Sequence, residues 1–186
     1  MTVAGASSPV AVDPKWPVVR TRRQHDLPAL LALLQRTHEQ AGYPVRASAV
    51  RSEWLASTAE LHGAVAIAGE RVVGHVALHP ADGVDPAALG LWRQATGRTP
   101  EGLAVVSRLF TDHSVPGAGT LLLAHAVSRA AELGRVAVLI VDPDSPARAF
   151  YRRRGWREVG TTRQQWGHRT VDAVLVVPKE AAGDCR

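Results

Sequence analysis

Apolar residues fall along this chain into short blocks of two different periods, and the alternation of those blocks predicts the elements. Val18 to Thr21 reads as a first strand. Leu27, Leu30, Leu31 and Leu34 then recur at helical spacing behind Asp26, a residue suited to cap, which predicts a helix from Leu27 to Glu39 that Gly42, Tyr43 and Pro44 break. A second, shorter helix is expected from Ala47 to Ala56. Ala64 to Ala68 and Val72 to Leu78 read as a hairpin around Gly69, Glu70 and Arg71. Pro80 to Gly102 is a longer connection than a tight hairpin needs, with a helix expected around Ala87 to Ala95, and long connections in compact domains are often functional.

The strand Leu103 to Thr111 leads into a further helix, whose buried face is marked by Leu122, Ala126, Ala130 and Leu133, with Gly134 as its C-cap. Val136 to Val141 is nearly continuously apolar, as a central strand covered on both faces requires. Ser145 can cap a further helix with Pro146 at its first position, and Gly155 ends it. Arg157 to Gln164 and Thr170 to Val177 form the closing hairpin. There is no internal repeat. One domain is expected over residues 16–180, with disordered tails at 1–15 and 181–186.

The most informative chemistry lies between the strand ending at Thr111 and the helix after it, in Ser114, Val115, Pro116, Gly117, Ala118, Gly119 and Thr120. Glycines let the backbone approach a bulky anion, and the free amides of a helix's first turn point at it with the positive end of the helix dipole behind them. A turn that needs glycine only for packing is the bland alternative. A second block follows downstream: Asp144, Ser145, Pro146, Ala147, then Tyr151, Gly155 and Trp156.

This pair of blocks resembles the GCN5-related N-acetyltransferase (GNAT) family. The family's acyl-CoA loop reads Gln/Arg-x-x-Gly-x-Gly/Ala, which Gly117 and Gly119 fit while Ser114 stands in place of Gln or Arg. Its second block reads Asn-x-x-Ala-x-x-x-Tyr-x-x-x-Gly-Phe; Ala147, Tyr151 and Gly155 match, Asp144 replaces the Asn, and Trp156 the Phe. The resemblance covers roughly Val18 to Pro178 and implies an α/β fold with a mixed, mostly antiparallel sheet flanked by helices. It implies acetyl-CoA, or another acyl-CoA, as co-substrate, lying where the strand ending at Thr111 splays from the strand ending at Val141. The pantetheine arm then pairs with the backbone of Leu109, Phe110 and Thr111, as an added strand would. The pyrophosphate falls on the amides of Val115, Gly117, Ala118, Gly119 and Thr120, and Asp144 and Ala147 join the cofactor side.

Amide formation from a thioester needs a deprotonated amine, a stabilised oxyanion and a proton for the departing thiolate. Tyr151 matches the family's usual acid, with a purely structural tyrosine as the alternative. A backbone amide near Leu109 or Phe110 would hold the oxyanion. The base stays open among His79, His113, a water held by Ser107, and solvent; alternation places Ser107 on the same strand face as Leu109. The arginines after Tyr151 read equally as a solvated helix face or as phosphate contacts. In this family the acceptor side is usually built from the turn between the first two helices and nearby strand and loop ends, which here supply His38, Tyr43, Arg46, Arg51, His79, Trp92 and Ser107.

Composition narrows the partners. With 186 residues, 46% of them hydrophobic, the chain can bury a real core. The single Cys185 near the C-terminus permits no internal disulfide and fits a reducing cytoplasm. No apolar run is long enough to span a bilayer, so no membrane partner is expected. The 22 basic residues outnumber 17 acidic ones but are spread along the chain, apart from Arg20, Arg22, Arg23 and the group Arg152, Arg153, Arg154, Arg157, which argues against nucleic acid. The eight histidines show no ligand spacing, so no metal is expected; His75 and His79 are only two ligands.

The expected activity is acyl-CoA-dependent N-acylation of a primary amine of a small molecule, compact and bearing a carboxylate or similar anion, because carboxylates to pair a polycation are scattered. The alternatives are a protein N-terminus or lysine as acceptor, and a catalytically weak acyl-CoA-binding module. A homodimer is left open.

Overall fold

The computed structural model describes residues 16–179, so both expected tails lie outside the described residues. The chain runs through β1 (Val18–Thr21), α1 (Leu27–Ala41), α2 (Ser52–Leu55), β2 (His62–Ala68), β3 (Arg71–Pro80), α3 (Pro86–Thr96), β4 (Leu103–Thr111), α4 (Ala118–Glu132), β5 (Val136–Val141), α5 (Ala147–Arg152), β6 (Trp156–Trp166) and β7 (Arg169–Pro178). The strands form one mixed sheet in the order β1-β2-β3-β4-β5-β7-β6, antiparallel except for β4 and β5. Among the described residues no helix is long and apolar enough to cross a membrane.

The period-two strands bury one face each way. Ala64, Val76, Leu78, Val106, Leu139 and Val174 meet Leu122, Ala126 and Ala130 of α4, with Tyr151 and Trp156 at the margin of that core. The opposite face packs Val65 and Phe110 under α1 and α2, and Leu103, Val138 and Leu175 under Trp92 of α3. Helix α4 can lie close because Gly74 faces it: a Cβ there would come within 2.8 Å of a Leu122 methyl.

Three local expectations are corrected. The helix expected at Ala47–Ala56 is a single 3-10 turn at Ala47–Ala49 and the four-residue α2, separated at Val50 and Arg51. Leu133 is partly solvent-exposed instead of facing the core. Asp26 does not cap α1 through its side chain; its carboxylate accepts from the Arg23 amide (2.7 Å) and from both Arg20 nitrogens (2.8 and 2.7 Å), which holds it down to a pKa of about 2.

The feature that shapes the site is a break in β4. Only Leu103, Ala104 and Val105 pair with β5, opposite Val136, Ala137 and Val138, after which the two parallel strands part. On its other edge β4 carries a bulge: Ser107 pairs with Ala77 and Phe110 with His75, so three steps of β4 match two of β3. Arg108 takes up the extra residue with φ at 53°, a left-handed conformation that costs a non-glycine residue roughly 1–2 kcal/mol. The slip breaks the alternation that would have put Ser107 and Leu109 on one face: Leu109 packs into the α4 core while Ser107 faces His79.

A buried relay holds the bulge. His75, fully buried, donates from Nδ1 to the Arg108 carbonyl (3.1 Å) and accepts at Nε2 from Arg22 Nη1 (3.0 Å). Arg22 also grips Glu60 through two nitrogens (2.8 and 3.1 Å) and the Leu55 carbonyl at the end of α2 (2.6 Å). Burial first, and then the Arg22 charge, push the His75 pKa down to about 3. A histidine that ionises near 6.5 in the unfolded chain but near 3 in the fold contributes stability above pH 6.5 and loses it as pH falls towards 3. His79, lowered to about 4, acts with the same sign. Wild-type unfolding free energy should therefore drop by up to about 1.4 kcal/mol per pH unit through His75 between pH 6.5 and 4, with a smaller, solvent-screened share from the part-exposed His79. His75→Gln should be less stable at pH 7 but show a shallower pH slope; equal slopes in denaturant titrations of the two proteins would contradict the relay.

Candidate active site

The loop Asp112 to Gly117 carries the chain from β4 into α4. Gly117 sits at the N-cap with φ at 85°, a conformation that glycine adopts without penalty. Among the described residues the amides of Val115, Gly117, Gly119 and Thr120 have no backbone partner, whereas that of Ala118 makes a long 3.4 Å bond to the Val115 carbonyl. Four donors therefore gather at the positive end of a fifteen-residue helix. Gly119 lies against α5, where a Cβ would stand 3.5 Å from the Phe150 ring, an ordinary contact.

Two guanidinium groups flank these amides. Arg154 lies 3.6 Å over the Phe150 ring and donates to Thr120 Oγ1 from Nε (3.0 Å) and to the Phe150 carbonyl (2.9 Å). Of the arginines that follow Tyr151, it is the one held beside the first turn of α4. Arg71, from the start of β3, reaches Ser114 Oγ (3.2 Å) and Asp112 (3.1 Å). A guanidinium thus stands in space beside the residue where the family motif has Gln or Arg.

Tyr151 lies on the same side of the sheet, buried, its ring 5.2 Å from Phe150 and 5.9 Å from Trp156. Burial pushes its phenol up to about 12, so the hydroxyl keeps its proton over the whole working range. Ala147 stands one turn earlier, half-buried against the same core, with its amide bonded to Ser145 Oγ (3.2 Å). Beyond Val105 the edge of β4 turned to β5 is unpaired, so the backbone of Leu109, Phe110 and Thr111 borders the gap between the strands.

On the α1 and α2 side of that gap the residues are polar and aromatic. Ser107 Oγ and His79 Nδ1 are 2.9 Å apart. Burial, then Arg108 and Arg22, lower the His79 pKa to about 4, so it is neutral at pH 7 and a feeble base. Arg108 lies 4.9 Å over the Trp54 ring. Tyr43 stands 6.1 Å from both Trp54 and Phe110, and its pKa is raised by burial and by the neighbouring Tyr151 phenol. Above them Arg46 donates to the Gln165 carbonyl (3.3 Å), and its Cγ would lie 3.5 Å from a Cβ at Gly167, so the α1–α2 loop touches the β6–β7 turn.

Several expected residues are not part of this assembly. Trp92 is wholly buried between α3 and the sheet, since the apolar stripe of α3 packs onto β6 and β7. Asp144 faces solvent, 82% exposed, with its carboxylate 3.5 Å from Arg169. His38 is occupied in holding the turn after α1, through Nδ1 to the Pro44 carbonyl (2.8 Å). Arg51 is exposed at the start of α2, and His113 lies on the exposed loop with φ at 58°. Conversely, sequence reasoning missed Arg108, Trp54, and the pairing of Arg22 with Glu60. The signal for Arg108 was present: a cation inside an otherwise apolar strand. His62 and His125 also meet, Nε2 to Nε2 at 3.1 Å, but among the described residues no three His, Cys, Asp or Glu are grouped to hold a metal.

Comparison with known proteins agrees with this fold. The model of the acetyltransferase (GNAT) family matches residues 27–156. None of the curated proteins compared matches the chain. Among solved structures, a ribosomal-protein-alanine N-acetyltransferase from Brucella melitensis is similar with a TM-score of 0.65 at 22% identity, covering 86% of this chain and 97% of that one. FeeM, an N-acyl amino acid synthase from uncultured soil microbes, has a TM-score of 0.64 at 20% identity over 89% and 92% of the two chains. Arabidopsis thaliana NAA60, in complex with acetyl-CoA, gives 0.65 at 18% identity over 87% and 97%. At such identities the likeness speaks for the fold, and the family match for the lineage: the chain belongs to the GNAT acetyltransferase family.

Proposed function

We propose that this protein transfers an acyl group, acetyl in the first instance, from coenzyme A to the primary amine of a compact small molecule bearing a carboxylate or similar anion. The observation that carries the reading is the parting of β4 from β5, which opens one gap between four free amides and Tyr151 on one face and His79, Arg108 and Tyr43 on the other. The contact of the α1–α2 loop with the β6–β7 turn favours a compact acceptor over a long peptide laid in an open groove.

In this reading the pyrophosphate rests on the amides of Val115, Gly117, Gly119 and Thr120, with Arg154 and Arg71 adding charge. The pantetheine amides pair with the free edge at Leu109 to Thr111. The amine nitrogen attacks the thioester carbonyl, a backbone amide at Leu109 or Phe110 steadies the oxyanion, and collapse breaks the carbon–sulfur bond. Tyr151 donates its proton to the departing sulfur, the new amide gives up its extra proton to solvent, and the Tyr151 phenolate regains one from solvent to restore the acid. A phenol near 12 is a weaker acid than a free thiol near 8.5, but the thiolate forms in the same apolar surroundings, which raise its proton affinity too. His79 is too weak a base to take the amine's proton; the guanidinium field that lowers it favours the free amine at that spot.

Three measurements check this account. Gly119→Val should fold, since the position is helical and a Cβ is tolerated, yet its branched carbons should obstruct the cradle and abolish acetyl-CoA binding; undiminished calorimetric affinity in the folded variant would remove the central reading. Gly117 is the poorer test because its positive φ strains any replacement. Tyr151→Phe should lose roughly a hundredfold or more in kcat with acetyl-CoA affinity nearly unchanged. Wild-type rates should show no alkaline fall from a titrating tyrosine near pH 10, and unaltered turnover in the variant would return Tyr151 to the core. Mass spectrometry of CoA-dependent products from amino acids, arylamines, polyamines, aminoglycosides and N-terminal peptides should show transfer foremost to the amino acids and to arylamines that carry a carboxylate; preference for polycations or peptides would contradict the acceptor assignment.

A further inference from the structure

We infer that Arg108 is the residue that binds the acceptor's carboxylate, and that the protein therefore selects amines carrying one, the amino acids foremost. The inference rests on the acyl-transfer reading for the word acceptor, but its structural ground is separate.

Arg108 is thrown out of the regular strand by the bulge, and its guanidinium lies over Trp54 on the α2 side of the gap. Its Nη1 is buried and has no hydrogen-bond partner. The carboxylate near it, Glu60, is 3.9 Å away and already holds Arg22 with both oxygens. The buried group thus contains two guanidinium charges, Arg22 and Arg108, against one carboxylate. The two imidazoles beside them, His75 and His79, are held neutral and add neither charge nor relief. Arg108 therefore shares its one nearby carboxylate with a second guanidinium, and a largely buried cation so incompletely paired gains from an added anion.

A second orphan lies in the same cluster. His79 Nε2 is buried and unpartnered, while Nδ1 is taken by Ser107. When the Ser107 hydroxyl donates to Nδ1, Nε2 carries the proton and becomes a second donor. The cluster thus holds two donors without acceptors, and a carboxylate has two oxygens to offer them. Tyr43, Trp54 and Phe110 supply aromatic walls beside them, which suits a flat or aromatic body behind the charged group. An arginine that served only to stack on Trp54 would gain nothing from a ligand's charge, and this difference can be measured.

The probes are L-amino acids and their near-isosteric α-carboxamides, which lack the negative charge; because the amide also has a less basic amine, rates are compared at a pH where both amines are free. Arg108→Asn removes the guanidinium with a residue that tolerates the left-handed backbone, and Arg108→Lys keeps the charge while losing the planar fork. Calorimetric titration of the wild-type protein should show an acid-to-amide affinity ratio of about tenfold or more for the best-bound pair, as a charge-assisted bond lost from a buried site implies. The same ratio should appear in kcat/KM with acetyl-CoA. It should fall to about one in Arg108→Asn and several-fold in Arg108→Lys, with retained acetyl-CoA affinity as the sign that each variant is folded. If Arg108→Asn does not fold, the wild-type ratio and its fall in Arg108→Lys decide. Equal binding of acid and amide to the wild type, or an undiminished ratio in the folded variants, overturns the inference. If no amine is acylated but the titration shows the ratio and its loss, the acyl-transfer reading fails while the carboxylate site stands.

Discussion

The contact between His75 and the Arg108 carbonyl ties the bulge in β4 to the rest of the molecule. The imidazole can do this because Arg22 occupies its other nitrogen, which fixes the proton on Nδ1, and because burial keeps the ring neutral. Arg22 in turn depends on Glu60 and on the carbonyl that ends α2. A chain of four groups drawn from β1's exit, α2, β2's approach and β3 thus holds one strained residue of β4 in place. Its energetic weight lies in what its loss would leave behind, since removing one partner from a buried ion pair strands the other, at a cost of roughly 3–5 kcal/mol.

From that bulge the two halves of the site follow. The residue slipped out of register brings Arg108 to join Ser107 on the face towards α1 and α2 and leaves Leu109 on the α4 side. The α4 side works mainly with backbone groups: free amides at a helix start and the unpaired edge of a strand. Its opposite works with side chains, two guanidinium groups, two imidazoles and three aromatic rings. In the proposed reading, backbone groups recognise what all acyl-CoA molecules share, so few residue types are demanded there. Side chains recognise what distinguishes one acceptor from another.

That division explains what was legible in the sequence. The strands Val18–Thr21, Leu103–Thr111 and Val136–Val141 were read to the residue, because strong apolar runs bounded by polar or turn residues leave little choice. Gly117, Gly119, Ala147 and Tyr151 stood out because they match the two motif blocks of the family, and the structure places the first two at the start of α4 and the others on α5. The acceptor side was read less well. Trp92 is expected on the acceptor side because the family builds that side from strand and loop ends, whereas the stripe of α3 that includes Ala88 carries it into the core. Arg108 was overlooked because period-two alternation carries no hint of a bulge. The partners of Arg22 lie 33, 38 and 53 residues away, a separation that no local pattern encodes.

The claim on which the account turns is that coenzyme A enters along the parted edge of β4 and ends on the first turn of α4. Hydrogen–deuterium exchange of the full chain, with and without coenzyme A, reads that path directly. The account predicts slowed exchange at the amides of Leu109 to Thr111 and of Val115 to Thr120, with the stretch from Arg46 to Trp54 little changed. Protection confined to the α1–α2 loop, or none at the Gly117–Thr120 turn under saturating coenzyme A, would contradict it.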